Sequence, residues 1–424
     1  MTRIFLTISL VISIFSTFAC VDKGANSNTA GPTGNTIKVG VYGDTTGATS
    51  SFGQSTKNGI QLAFEEINAA GGVNGKKLEM LFEDDQGTPE KAKTVISKLI
   101  NQDKVVAVLG EVASSNSLAA APVAQDAKIP MITPSSTNPK VTEVGDFISR
   151  VCFIDPFQGA VMAKFAANTL KAKTAAILGD NSSDYSKGLT QFFEQEFTKL
   201  GGTIITKQTY AQKDQDFKAQ LTQMRDQKPD VIYIPGYYGE VAIIAKQARE
   251  LGMNQPLLGG DGWDSPELWK LGGPALKDAY ISNHYSADNP AAEIQNFVKA
   301  YTAKFGVSPD SLAALAYDSA KVLADAIKRA GGTDSAKLKD AINATKDFPG
   351  VTGKITLDAS RNAVKPAVVL SLNPAASKFE FKETIYPEGM TPPTTTTTTT
   401  ANTNTIANSN TNTNANSTMN TNAK

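Results

Sequence analysis

The sequence is poor in the residues that most enzyme chemistry needs. Its 424 residues include one histidine, His284, and two cysteines, Cys20 and Cys152. A His-cluster metal site is thereby excluded, and a Ser-His-Asp triad would have to be built on His284 alone. The plainer reading of His284 is a histidine at the end of a strand. Phosphate-binding P-loop spacing is also missing, so neither enzymatic activity nor a metal or cofactor is expected. Nor is there a surplus of charge. Lys+Arg and Asp+Glu both number 41, which argues against a nucleic-acid partner, since such a protein needs a basic excess.

Long apolar runs are confined to the start, "MTRIFLTISLVISIFSTFAC". Arg3 precedes an apolar stretch from Ile4 to Phe18, too short and wrongly flanked for a stable spanning helix. The small residue before Cys20 resembles a bacterial lipoprotein cleavage site. Residues 1–20 then read as a lipoprotein signal peptide, with Cys20 lipidated as the first mature residue; an ordinary signal peptide cut elsewhere is the alternative. Residues 21–35, rich in Gly, Asn, Ser and Thr, read as a flexible linker. With Cys20 lipidated, Cys152 in "FISRVCFI" has no partner in the chain, and its apolar neighbours suit a buried strand thiol. Residues 389–424 are Thr- and Asn-rich and too polar to offset their ordering entropy, so they read as a disordered tail.

Between these ends, from 36 to 388, strand and helix patterns alternate. "TIKVGVYG" reads as a strand. The helix after it carries Ile60, Ala63, Phe64 and Ile67 at helical spacing and stops at Gly71-Gly72. The continuous apolar runs "VVAVLG" and "DVIYIPG" suit parallel sheets covered on both faces. A second run of the same kind follows "FISRVCFI", its long helix ending in Gly201-Gly202 as the first ends in Gly71-Gly72. Two successive open α/β runs imply two similar doubly wound lobes, which bind ligands beyond the carboxyl ends of their strands.

Those strand ends carry polar and aromatic groups. In "MITPSSTNP" a core strand empties into Ser135, Ser136 and Thr137, bracketed by Pro134 and Pro139. Alone this is ordinary turn chemistry. Similar groups recur after strands in both halves: Thr45 and Phe52, Ser114 and Ser115, Tyr185, Tyr237 and Tyr238, and Asp261. A plain fold has no reason to gather them at one edge.

Over residues 36 to 388 the chain resembles the periplasmic solute-binding proteins of branched-chain amino-acid ABC transporters. The stretches that carry the likeness are "GVYGDTTGATSSFGQSTKNGIQLAFEEINAAGGVNGKKL", "VLGEVASSNSLAAAPVAQDAKIPMITPSSTNP", "GDNSSDYSKGL", "IYIPGYYGEVAIIAKQAREL" and "LLGGDGW". The resemblance implies two Rossmann-like lobes joined by three crossovers, the type I periplasmic binding fold. Residues 36–155 and 285–368 would form one lobe, 156–284 and 369–388 the other. It implies that Ser114 and the N–H groups around Ser115 bind a ligand carboxylate. Ser135 and Thr137, with Ser136 between them, would hold carboxylate and ammonium. Tyr185 and Tyr237 would cover the ligand, Asp261 would pair with its ammonium, and Phe52 would line the side-chain pocket. The expected protein is a monomeric lipoprotein of the periplasm or cell surface, held to the membrane by its lipid, that passes an amino acid to an ABC permease. Three departures stand out: enteric relatives have a disulfide where this chain has Gly87 and Ala113, Asp261 replaces a Glu of some relatives, and Phe52 lacks a hydroxyl. A binder of an amide, urea or other small polar solute, or a sensor not coupled to transport, is the alternative.

Overall fold

The computed structural model describes residues 35–390. Cys20 and the residues after 390 lie outside it. The chain opens with β1 (Thr36–Gly43), α1 (Ser50–Ala69), β2 (Lys77–Asp84), α2 (Pro89–Asn101), β3 (Ala107–Leu109), α3 (Ser114–Asp126), β4 (Met131–Thr133), α4 (Lys140–Glu143) and β5 (Ile148–Arg150). The five strands form one parallel sheet in the order β2-β1-β3-β4-β5. Local signals start and stop the helices: Pro89 stands at the first position of α2 while the Thr88 hydroxyl accepts from the Lys91 N–H.

The chain then crosses into a second sheet through α5 (Asp155–Lys164), which runs on into a π-helical turn at Phe165–Thr169. There follow β6 (Thr174–Asp180), α6 (Asp184–Lys199), β7 (Thr203–Tyr210), α7 (Lys218–Gln227), β8 (Val231–Tyr233), α8 (Tyr238–Glu250), β9 (Leu257–Gly259), α9 (Pro266–Gly272) and β10 (Ala279–Asn283). A second crossover leads back to α10 (Ala292–Phe305), α11 (Ser311–Arg329), α12 (Ser335–Asn343) and a small hairpin of β11 (Phe348–Gly350) and β12 (Gly353–Ile355). A third returns the chain to add β13 (Ala367–Asn373) and β14 (Lys378–Ile385) to the second sheet, whose order is β14-β13-β10-β9-β8-β6-β7. The last two strands are antiparallel; the rest are parallel. This is the type I periplasmic binding fold: two α/β lobes and three crossovers.

The first lobe closes its core by packing α11 on α1. The helices approach so closely that a Cβ on Gly59 would lie 2.2 Å from the Ala313 carbonyl oxygen, and Ile60, Ala63 and Phe64 bury against Leu315, Ala316 and Leu323. One expectation needs adjusting. "FISRVCFI" is not a long strand: β5 is a three-residue edge strand, and Cys152 sits past its end. The chain leaves the sheet there because it must cross to the other lobe. Cys152 is nonetheless fully buried, and burial pushes its thiol up to about 12.

Candidate ligand-binding site

On the first lobe, α3 starts directly after β3. Its N-cap is Ala113, with extended backbone and no side-chain cap. The N–H groups of Ser114 and Ser115 therefore stand at a helix start, where no earlier turn offers them a carbonyl and the helix dipole is positive. The Ser114 hydroxyl is buried and accepts from the Asn138 N–H at 3.3 Å. The neighbouring loop divides its three hydroxyls between two tasks. Ser136 Oγ lies 2.7 Å from Ser117 Oγ and 2.9 Å from the carbonyl oxygens of Glu111 and Val112. It braces the loop inward. Arg150, fully buried on β5, donates to the carbonyls of Ser136, Asn138 (2.8 Å) and Pro139 (3.3 Å). With the loop pinned in this way, Ser135 Oγ and Thr137 Oγ1 are buried with no partner among the described residues.

On the second lobe, Asp261 heads a short 3-10 turn after β9. Its Oδ1 accepts from Gln158 Nε2 and from the Tyr185 hydroxyl, each at 2.7 Å, and its Oδ2 is 2.9 Å from His284 Nε2. Burial by itself would raise the Asp261 pKa, but the hydrogen bonds from His284, Gln158 and Tyr185 hold it below the ordinary carboxylate value. His284, just after β10, stacks on Phe153 with ring centroids 3.8 Å apart. Burial pushes its pKa down to about 4, so the neutral ring donates its Nε2 proton to the carboxylate. Tyr185 stacks on Tyr237 at 5.2 Å, and Phe52 from α1 meets Tyr237 and Tyr238 edge-on at 5.6 and 5.0 Å.

The lobes are closed on one another. Ser115 Oγ donates to Asp184 Oδ2 at 2.9 Å and accepts from the Asp184 N–H at 3.0 Å, while Asn138 Nδ2 donates to the Asp184 carbonyl. Tyr238 donates to the Ala48 carbonyl and accepts from the Ser51 N–H; Ser265 Oγ donates to Ser51 Oγ. Phe52 is 1% exposed and Tyr237 7%. The structure thus brings Phe52, Ser114, Ser135, Thr137, Tyr185, Tyr237 and Asp261 to the lobe interface, places Ser115 across it as a bridge, and turns Ser136 into the loop. Sequence reasoning overlooked Arg150, Gln158 and the role of His284. A buried Gln on the apolar helix "DPFQGAVMAK" was the available signal. Chemically, the arrangement sets anion-seeking N–H groups on one lobe against a carboxylate on the other, with aromatic walls between. Among the described residues no group of three His, Cys, Asp or Glu is placed to hold a metal ion.

A sequence profile of the family described as periplasmic binding protein matches residues 36–376. The chain is similar to the crystal structure of a leucine-binding protein from Thermotoga maritima: 42% identity, TM-score 0.79, covering 84% of this chain and all of that one. It is likewise similar to a branched-chain amino-acid transporter substrate-binding protein from Streptococcus pneumoniae in complex with isoleucine, at 37% identity and TM-score 0.78, over 83% of this chain and 100% of that one. A third similar structure, an ABC-transporter solute-binding protein from Rhodopseudomonas palustris, holds 3,4-dihydroxybenzoic acid; there the identity is 28%, the TM-score 0.76 and the coverage 83% and 98%.

Proposed function

The chain belongs to the periplasmic binding protein family, and from that premise we propose that it captures an α-amino acid with an apolar, branched side chain between its lobes and hands it to an ABC permease. It is a solute-binding protein and not an enzyme, and it works outside the cytoplasm. In this reading the Ser114 hydroxyl and the first N–H groups of α3 take the ligand carboxylate. Thr137 Oγ1 and Asp261 take the ammonium, while Phe52, Tyr185 and Tyr237 enclose the side chain. Lipidation of Cys20 would hold the protein, as a monomer, at the membrane beside its permease.

The observation that carries the reading is the opposition of charge: a helix start on one lobe and an ionised Asp261 on the other. A neutral amide or urea would leave the buried Asp261 charge without a cation. Asp261→Asn keeps the shape and removes the charge. Calorimetric titration with L-leucine, L-isoleucine and L-valine should show a loss of roughly 2–5 kcal/mol, the scale for truncating one partner of a buried charged pair. Acetamide and urea, titrated in parallel, carry no ammonium and should bind neither form tightly. Unchanged leucine affinity in a variant that melts normally would remove Asp261 from the site.

A further inference from the structure

A second cavity, of about 370 Å³, opens beside the second crossover. Its volume falls within the range of small-molecule sites, roughly 300–1,000 Å³. Both lobes wall it. The second lobe contributes Asp264, Trp269 of α9 and Phe379 of β14; the first contributes Asp310, just before α11; Tyr285 comes from the crossover itself. None of the residues assigned above to the amino acid lines this cavity.

Two carboxyls set its chemistry. Asp264 is 5% exposed. Its Oδ2 accepts from Asn283 Nδ2 and from the Ser311 N–H, each at 2.8 Å, but no donor among the described residues reaches Oδ1. Beside it Ser311 Oγ, fully buried, is also without a partner. Asp310 caps α11, accepting from the Ala313 N–H at 2.8 Å and from Ser55 Oγ at 2.5 Å. No lysine or arginine among the described residues pairs with either carboxyl, and Lys378 in the cavity wall is taken by Asp288 at 2.9 Å. Burial raises both carboxyls, Asp310 to about 7, with the charge of Asp264 adding to the effect. Near neutral pH the pair therefore keeps a proton between its members, and the charge that remains has no counter-ion. Opposite lies an aromatic wall, the Trp269 and Phe379 rings 4.7 Å apart, and aromatic faces attract cations. A metal ion is poorly served, since no three His, Cys, Asp or Glu among the described residues are placed to hold one. A neutral apolar guest would leave Asp264 Oδ1 dry and unpaired. We propose that this cavity is a second binding site, for a small organic ammonium ion whose N–H groups meet Asp264 and Asp310 and whose apolar body lies against Trp269 and Phe379.

Benzylamine serves as the probe, benzyl alcohol as its uncharged counterpart and calcium chloride as the inorganic cation. Each is titrated calorimetrically into protein saturated with L-leucine and into protein without it. Benzylamine should bind the leucine-saturated protein, and benzyl alcohol should bind roughly 10-fold or more weakly than it, the scale of a hydrogen bond to a charged group. Asp264→Asn combined with Asp310→Asn keeps both shapes and removes the charge. This double variant should lose benzylamine affinity by a similar factor and still bind leucine. Trp269→Leu leaves the carboxyls in place and stands in if the double variant does not fold; it should lose benzylamine affinity several-fold through the missing cation–π contact. Leucine displacing benzylamine would put the amine in the amino-acid site and overturn the proposal. So would equal binding of benzylamine and benzyl alcohol, displacement of benzylamine by calcium, or an affinity that neither variant alters. None of these results bears on the amino-acid reading, which is decided by Asp261→Asn and leucine.

Discussion

His284 shows how one buried residue sets the state of another. Its ordinary pKa near ~6.5 is pushed down to about 4 by burial, so near neutral pH the ring is uncharged and the negative charge stays on Asp261. A histidine with a depressed folded-state pKa contributes stability that is present above its unfolded value and is lost as the pH falls through the folded one. Between about pH 6.5 and 4 the closed protein should therefore lose melting temperature on this account. Asp155, whose pKa burial pushes up to about 8, acts in the opposite sense, because the folded state there binds the extra proton. The informative quantity is thus the difference from His284→Gln, which retains a donor for Asp261 but does not titrate. Melting curves taken across this window should fall less steeply with acid in the variant; parallel profiles would mean that His284 is protonated at no cost. Cys152, with its thiol raised to about 12, is a packing residue and has no comparable reactivity.

The loop between β4 and α4 owes its shape to an element it does not border in sequence. Thr133 pairs with Arg150 across the β4–β5 register, which brings the guanidinium under the loop and lets its planar fork collect three carbonyls. Lysine offers a single point of charge in place of that fork. Arg150→Lys should cost roughly 1.5–3 kcal/mol of stability, the worth of hydrogen bonds to a charged group, and should weaken leucine binding as Thr137 loses its position. Chemical denaturation and calorimetry on the same variant check both, and an unaltered midpoint would show that the loop holds itself. The same geometry explains what could be read in advance. Alternating patterns, glycine stops and apolar strand runs are local, and they disclosed two α/β lobes and the start of α3. The row of hydroxyls in "PSSTNP" falls in the loop between β4 and α4. Which hydroxyl faces the cleft depends on Arg150, Glu111 and Ser117, and that choice is invisible along the chain. Gln158 and the role of His284 were missed for the same reason: α5, the turn after β9 and the end of β10 meet only once the second sheet is assembled.

For the whole molecule the question is what holds two lobes shut. Among the described residues the bridges across the interface include Ser115 and Asn138 to Asp184, Tyr238 to Ala48 and Ser51, Ser265 to Ser51, and the Ser311 N–H to Asp264. Each is worth about 1 kcal/mol net, and opening returns these groups to water. Against them stands an ionised, fully buried Asp261, and burying charge without a counter-charge costs several kcal/mol per ion. An empty cleft should therefore rest open, and an amino acid should shift the balance because its ammonium binds the closed arrangement far better than the open one. Small-angle scattering should give a smaller radius of gyration with saturating L-leucine than without ligand. Asp261→Asn, which removes that buried charge, should be more compact than wild type when both are empty. Superimposable wild-type curves with and without leucine, at concentrations where calorimetry shows binding, would mean that the rim contacts alone keep the lobes together and that the buried Asp261 does not govern closure.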